Sequence, residues 1–217
     1  MKQHRLFSFK KFPMDMARLI SAPVLLIFRV KRLTPTGEKY RQKIKGGAIL
    51  TANHTSFSDP FIVGATVWYR RIYFLVAEVV MKGKLRSTLL KGVGAIRINR
   101  QEADIEAINR SVRKLKQGYL LTVFPQGGIN KGDDIDAIKS GAVLMALRAE
   151  VPLIPMHIHQ KKHWYSRQIV IIGETIDPKT YCQKKIPSSA DIKVISTALM
   201  QQLNHCKNAI TQQEEPK

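Results

Sequence analysis

His54 and Asp59 stand five residues apart in Thr51-Ala52-Asn53-His54-Thr55-Ser56-Phe57-Ser58-Asp59-Pro60, between an apolar run and an amphipathic one. A neutral imidazole takes a proton from a hydroxyl, and a carboxylate on its other nitrogen fixes the tautomer and stabilises the imidazolium. Those two roles suit this pair. On a straight helix the spacing would set the side chains about 140° apart, so they meet only if His54 lies in the turn before a helix. Asp59-Pro60 reads as that helix start, with Asp at the N-cap and Pro in the first helical position. A plainer reading fits the same residues: Asp59 only caps its helix and His54 fills a turn.

Other chemistry-bearing patterns fail on inspection. Gly92 and Gly94 begin a G-x-G-x-x-G pattern whose last position is Arg97, so the dinucleotide fingerprint is absent. Gly83-Lys84 is followed by Leu85, which removes a P-loop, and no G-x-S-x-G nucleophile elbow occurs. His157 and His159 would share one face of a strand and His163 follows, but no Cys joins them. They read as ordinary core or rim histidines, and no metal site is expected.

The elements that would position His54 and Asp59 come from hydrophobic pattern. Short β-branched runs at 48–52, 72–77, 95–98, 119–124, 153–158 and 168–172 read as strands. Stretches at 60–69, 101–116 and 135–150 carry apolar residues at helical spacing, and a last helix fits 190–205. Strand and helix alternate, which predicts an α/β fold: a single domain with a mixed central sheet flanked by helices. His54 then follows a strand, where sites form in open α/β sheets. The expected division is a basic N-terminal segment at 1–45, the α/β domain at 46–207 and a polar tail at 208–217.

Composition narrows the partners. The 217 residues hold 36 Lys plus Arg against 16 Asp plus Glu, a net charge of +20, which points to a polyanion: nucleic acid, an anionic membrane surface or a phosphorylated substrate. No helix-turn-helix, zinc-finger or RNP-like signature is present, so nucleic acid is not expected. Two Cys are too few for a disulfide scaffold, and no secretory signature follows Met1, so a reducing, unexported setting is expected. The longest apolar run near the N-terminus, 19–28, is ten residues, whereas a spanning helix needs about 20. With cations on both sides, the stripe including Met14, Leu19, Ile20 and Val24 suits a basic amphipathic helical extension lying in the headgroup region. The same stripe also suits a helix packed on the domain's own core, and Pro23 would kink it.

Asn53-His54 through Asp59 resembles the N-H-x-x-x-x-D block of the glycerolipid acyltransferases, the 1-acylglycerol-3-phosphate O-acyltransferase family. Gly94-Ala95-Ile96-Arg97-Ile98-Asn99-Arg100 is similar to the second block, G-x-I-x-I-x-R, and Phe124-Pro125-Gln126-Gly127 to the third, F-P-E-G-T-R. Val151-Pro152-Leu153-Ile154-Pro155 matches the fourth, so four blocks occur in order across residues 46–158. The resemblance implies a membrane-associated enzyme that moves a fatty acyl chain from acyl-CoA or acyl-carrier protein directly to a lysophospholipid-like hydroxyl, with no bound cofactor. It makes His54 the general base and Asp59 its orienter, and gives Arg100 the acceptor's phosphate, with Arg97 a basic neighbour. Asn53, Gln126, Gly127 and Lys131 complete the expected substrate-binding set. The location it implies is peripheral, on the cytoplasmic face of an anionic membrane.

The third block departs from the family pattern: Gln126 replaces Glu, Gly128 replaces Thr, and Ile129 replaces an Arg that would make a second phosphate contact. Lys131 offers a point charge in its place. Losing one charge-assisted contact costs roughly 1.5–3 kcal/mol. The departures therefore favour an acceptor other than plain lysophosphatidic acid, such as a zwitterionic lysophospholipid, with lysophosphatidic acid itself as the alternative.

Overall fold

Every residue of Ala48–Ala52 is buried, and this strand, β2, lies inside a seven-stranded sheet. A strand covered on both faces reads as a continuous apolar run rather than an alternating one. In the computed structural model the residues described are 12–16, 29–99, 104–125, 140–159, 167–182 and 187–214.

The other strands are β1 (Lys31–Leu33), β3 (Ile72–Ala77), β4 (Ala95–Ile98), β5 (Leu120–Val123), β6 (Leu153–Ile158) and β7 (Ile169–Ile172). Their spatial order is β1-β7-β6-β2-β5-β3-β4. β2 pairs in parallel with β5 and β6, and β3 in parallel with β5 and β4. β7 is antiparallel to β6 and carries β1 parallel to itself, so the sheet is mixed, as the alternation of elements predicted. The helical elements are α1 (residues 12–16), α2 (Asp59–Thr66), α3 (Lys84–Gly92), α4 (Ile105–Lys116), α5 (Gly141–Ala149), α6 (Pro178–Tyr181) and α7 (Ser189–Glu214).

Alternation along β2 divides the core. Ile49 packs with α4, α5 and α7 through residues including Leu115, Val143, Ala146 and Leu199. Ala48, Leu50 and Ala52 join Ile62 and Val63 of α2 on the opposite face. Gly47 stands where the chain enters β2, and a Cβ there would run into the Leu115 carbonyl oxygen. Gly94 admits β4 beside β3 in the same way: its φ is +100°, and a Cβ would sit 2.7 Å from the Ile72 carbonyl oxygen.

Several boundaries differ from the pattern-based expectation. α2 stops at Thr66 because the next residues turn back toward β3: Tyr69 Oη accepts from Ile44 N–H at 2.9 Å, and Arg70 donates to the Gly46 and Gly118 carbonyls. α4 begins at Ile105 because Asp104 caps it, accepting from Ala107 N–H at 2.8 Å. α7 continues to Glu214, since Gln212, Gln213 and Glu214 are good helix formers. The sheet also reaches into the segment read as an N-terminal extension, where β1 pairs with β7. A three-residue strand written Lys-Arg-Leu carries no period for a pattern to show.

Both open readings of the N-terminal stripe fall partly outside the described residues. What is described packs on the domain: Met14 is buried in the core, and Arg71 Nε and Nη2 donate to the two oxygens of Asp15 at 2.8 Å each. This bidentate pair is buried on both sides and holds α1 against the start of β3.

Candidate active site

β2 and β5 run parallel with Thr51 opposite Val123, so the residues that leave them, Asn53-His54 and Phe124, emerge side by side at the carboxyl end of the sheet. The His54 ring stacks on Phe124 with centroids 4.2 Å apart and planes 22° from parallel. On the opposite side of β2, Asn53 clasps β6. Its Oδ1 accepts from Ile158 N–H at 2.7 Å and its Nδ2 donates to Ile158 O at 3.0 Å. One side chain thereby continues the β2–β6 ladder past the last backbone pair, and the chain is held on both flanks where His54 begins.

The turn 54–58 brings His54 and Asp59 together, as the sequence required. Asp59 is the first residue of α2, with Pro60 next, and the residue before it, Ser58, makes no side-chain cap. The carboxylate turns back instead. Its Oδ2 accepts from Thr55 N–H at 2.7 Å, from Ser56 N–H at 2.8 Å and from His54 Nδ1–H at 3.0 Å. A carboxylate is acceptor only, so the shared proton belongs to Nδ1 and the basic lone pair to Nε2. Asp59 is 1% exposed and the His54 side chain 14%, so the orienting group is sealed while the imidazole reaches the surface. The helix N-terminus also favours a carboxylate there. The plainer reading, in which Asp59 only caps its own helix, is not what these bonds do.

The remaining expected site residues divide into two groups. Arg97 lies on β4, exposed, and its Nη1 donates to Glu78 Oε1 at 3.0 Å. Asn53 is buried with its amide engaged on Ile158, so its visible work is to position the His54 turn. Arg100, Gln126, Gly127 and Lys131 lie outside the described residues. His157 is buried within β6. Phe124 was named from sequence as the first residue of the third block but given no part in the site, and the Thr55 and Ser56 amides were not singled out at all. The two amides carried no signal, because any residue type supplies them.

This arrangement can remove a proton from a hydroxyl placed at His54 Nε2 and stabilise the resulting imidazolium through Asp59. Comparison with known proteins shows the family of the chain. The family model described as "Acyltransferase" matches residues 32–159, more than half of the chain. A Bacillus subtilis protein named 1-acyl-sn-glycerol-3-phosphate acyltransferase is 22% identical over 171 residues, covering 76% of this chain and 84% of that one. A Mycoplasma pneumoniae protein, "probable 1-acyl-sn-glycerol-3-phosphate acyltransferase", is 27% identical, covering 64% of this chain and 60% of that one. The crystal structure of the 1-acyl-sn-glycerophosphate acyltransferase PlsC from Thermotoga maritima superposes with a TM-score of 0.64 at 16% identity, over 96% of this chain and 83% of that one, which establishes the same fold.

Proposed function

The chain belongs to the acyltransferase family, and on that footing we propose that it acylates the free hydroxyl of 1-acyl-sn-glycerol-3-phosphate, taking the acyl group from acyl-CoA or acyl-carrier protein. The observation that carries this reading is the His54–Asp59 pair, whose 3.0 Å bond commits the Nδ1 proton to Asp59 and the base to Nε2. His54 Nε2 takes the acceptor's hydroxyl proton as that oxygen attacks the thioester carbonyl. The C–O bond forms, the C–S bond breaks, and the imidazolium returns the proton to the departing thiolate. Transfer is direct, in keeping with a sequence that has no nucleophile elbow. The donor is a co-substrate, and no resident cofactor is required by these steps.

Acceptor identity rests on the relatives, which are named for 1-acyl-sn-glycerol-3-phosphate. Arg100 is assigned its phosphate, with Arg97, Gln126, Gly127 and Lys131 nearby in sequence blocks. The departures at Gln126, Gly128 and Ile129 favour a second reading, a zwitterionic lysophospholipid or other lipid alcohol. A competition assay with equimolar lysolipids and one acyl-CoA, read by product mass, separates them. Lysophosphatidic acid is expected to be acylated fastest, with Arg100→Ala removing its advantage; a zwitterionic lysolipid acylated tenfold faster would replace this acceptor with that one.

Acylation of such lipids supports a peripheral location on the cytoplasmic face of a membrane, with the cations of residues 1–45 as the attraction to anionic lipid. No helix among the described residues is long and apolar enough to cross a bilayer.

A further inference from the structure

α3 is a nine-residue helix with no buried residue, although two leucines four apart, Leu85 and Leu89, share one of its faces. Leu85 is 76% exposed and Leu89 63%, and Val79 in the 3-10 turn Glu78–Met81 that leads into the helix is 64% exposed. A soluble amphipathic helix turns such a stripe toward its core; α3 turns it outward. The position is specific. β2 and β3 point the same way through β5, so the turn 54–58 and the 3-10 turn Glu78–Met81 both leave from the end of the sheet that carries His54, and α3 runs from that end back toward the start of β4. Phe57 and Phe61, on either side of Asp59, are exposed at that end too.

Cations are interleaved with these residues. Lys82, Lys84 and Arg86 are exposed around Leu85, while Glu78, the one carboxylate of the stretch 78–92, is engaged by Arg97. Apolar side chains that enter the acyl boundary, with Lys and Arg stems reaching back to phosphates, are the composition of a helix lying in a lipid interface. The charge selects an anionic surface.

We propose that Val79, Leu85 and Leu89, with Phe57 and Phe61 beside the catalytic pair, form a docking face that seats the mouth of the His54 site on an anionic phospholipid bilayer, separately from the N-terminal segment. The proposal rests on the lipid-acylation reading for its purpose, since an acceptor held in a bilayer must present its hydroxyl to His54. Its test does not depend on turnover, so its failure leaves that reading intact.

The full chain is measured by co-sedimentation with vesicles of mixed anionic and zwitterionic phospholipid, alongside Leu85→Ser/Leu89→Ser. Both side chains are exposed, so the folded state is expected to survive, with circular dichroism as the check. Burying a leucine is worth about tenfold in partitioning, so the double variant is expected to bind at least tenfold more weakly. A second measurement uses Leu85→Cys. Cys182 and Cys206 are both buried, so the new thiol takes a polarity-sensitive fluorophore selectively. Its emission is expected to shift to the blue on adding anionic vesicles, and to shift back as salt is raised. Unchanged vesicle binding by the double variant, or emission at Leu85 that stays water-like with the protein fully bound, would overturn the proposal. So would conversion of a dimer to a monomer by Leu85→Ser/Leu89→Ser in sedimentation velocity with vesicle binding retained, which would assign the face to a second copy of the chain.

Discussion

Asp59→Asn isolates what the carboxylate does for His54. The native Oδ2 accepts three N–H groups at 2.7–3.0 Å while 1% exposed. In the variant the amide oxygen must keep facing Thr55 and Ser56, because an NH2 group there would meet two donors. Nδ1–H therefore keeps a partner and the ground-state ring stays in place. What disappears is the charge that stabilises the imidazolium in the transition state. For unit charges 3 Å apart at an effective dielectric of 20, that is about 5.5 kcal/mol, or roughly four decades in rate at 1.36 kcal/mol per decade. Charge delocalisation over both groups lowers this, so kcat is expected to fall by about 10²–10⁴ with KM nearly unchanged. Replacing charged with neutral acceptors also costs about 1 kcal/mol per bond, or about 3 kcal/mol in all. For a domain of this size the Tm is expected to drop by roughly 6–12 °C. Thiol release from acyl-CoA gives the rate, and a thermal melt gives the stability. A Tm loss of that size with kcat within threefold of the native value would mean that Asp59 holds the turn and does nothing for the base.

Two further predictions concern the scaffold. Gly47→Ala places a methyl against the Leu115 carbonyl and within 3.2 Å of Val151 Cγ1; it is expected to cost about 3 kcal/mol by overpacking, and a melt that matches the native protein would refute the contact. Asp104 has its carboxyl held below the ordinary range, first by the Asn99 N–H and then by the Ala107 N–H. Its unfolded form thus takes up a proton before the folded form does, so the stability it contributes is complete above the ordinary Asp value and is lost as pH falls through the lower folded one. Asp104→Asn is expected to be less stable than the native chain at neutral pH, with the gap closing in acid; denaturant melts giving a gap independent of pH would contradict this.

The five runs that became β2 to β6 were readable because buried strands are written in contiguous β-branched and aliphatic residues, and four of them match to the residue. α3 was not readable for the reason that makes it interesting: with no side facing the core, its leucines carry no partner that a pattern would imply. β1 was too short and too charged to show a period. At the site, residue types and spacing offered His54 and Asp59 as a pair that could meet only across a turn, the resemblance to four family blocks gave them their roles, and the turn is there. The bonds of Asp59 to the amides three and four residues before it are local but go to backbone that any residue type supplies, whereas the clasp of Asn53 on Ile158 joins positions over a hundred residues apart. Local sequence does not encode that clasp; the sheet order creates it. The Asp15–Arg71 pair, 56 residues apart, belongs to the same class. In the sequence Asp15 is one of two acids among the cations of residues 1–45 and nothing beside it names Arg71 as its partner.

The proposed role of His54, as the base in a direct transfer from thioester to hydroxyl, is read by thiol release from His54→Ala with saturating long-chain acyl-CoA and 1-acyl-sn-glycerol-3-phosphate. His54 is partly exposed at the end of a turn held by Asn53 and Asp59, so the variant is expected to fold, as checked by its melt. A rate lower by about 10²–10⁴, with the acylated lipid absent from the products, is the predicted result. A folded His54→Ala protein that still releases thiol and forms the acylated lipid within tenfold of the native rate would contradict it.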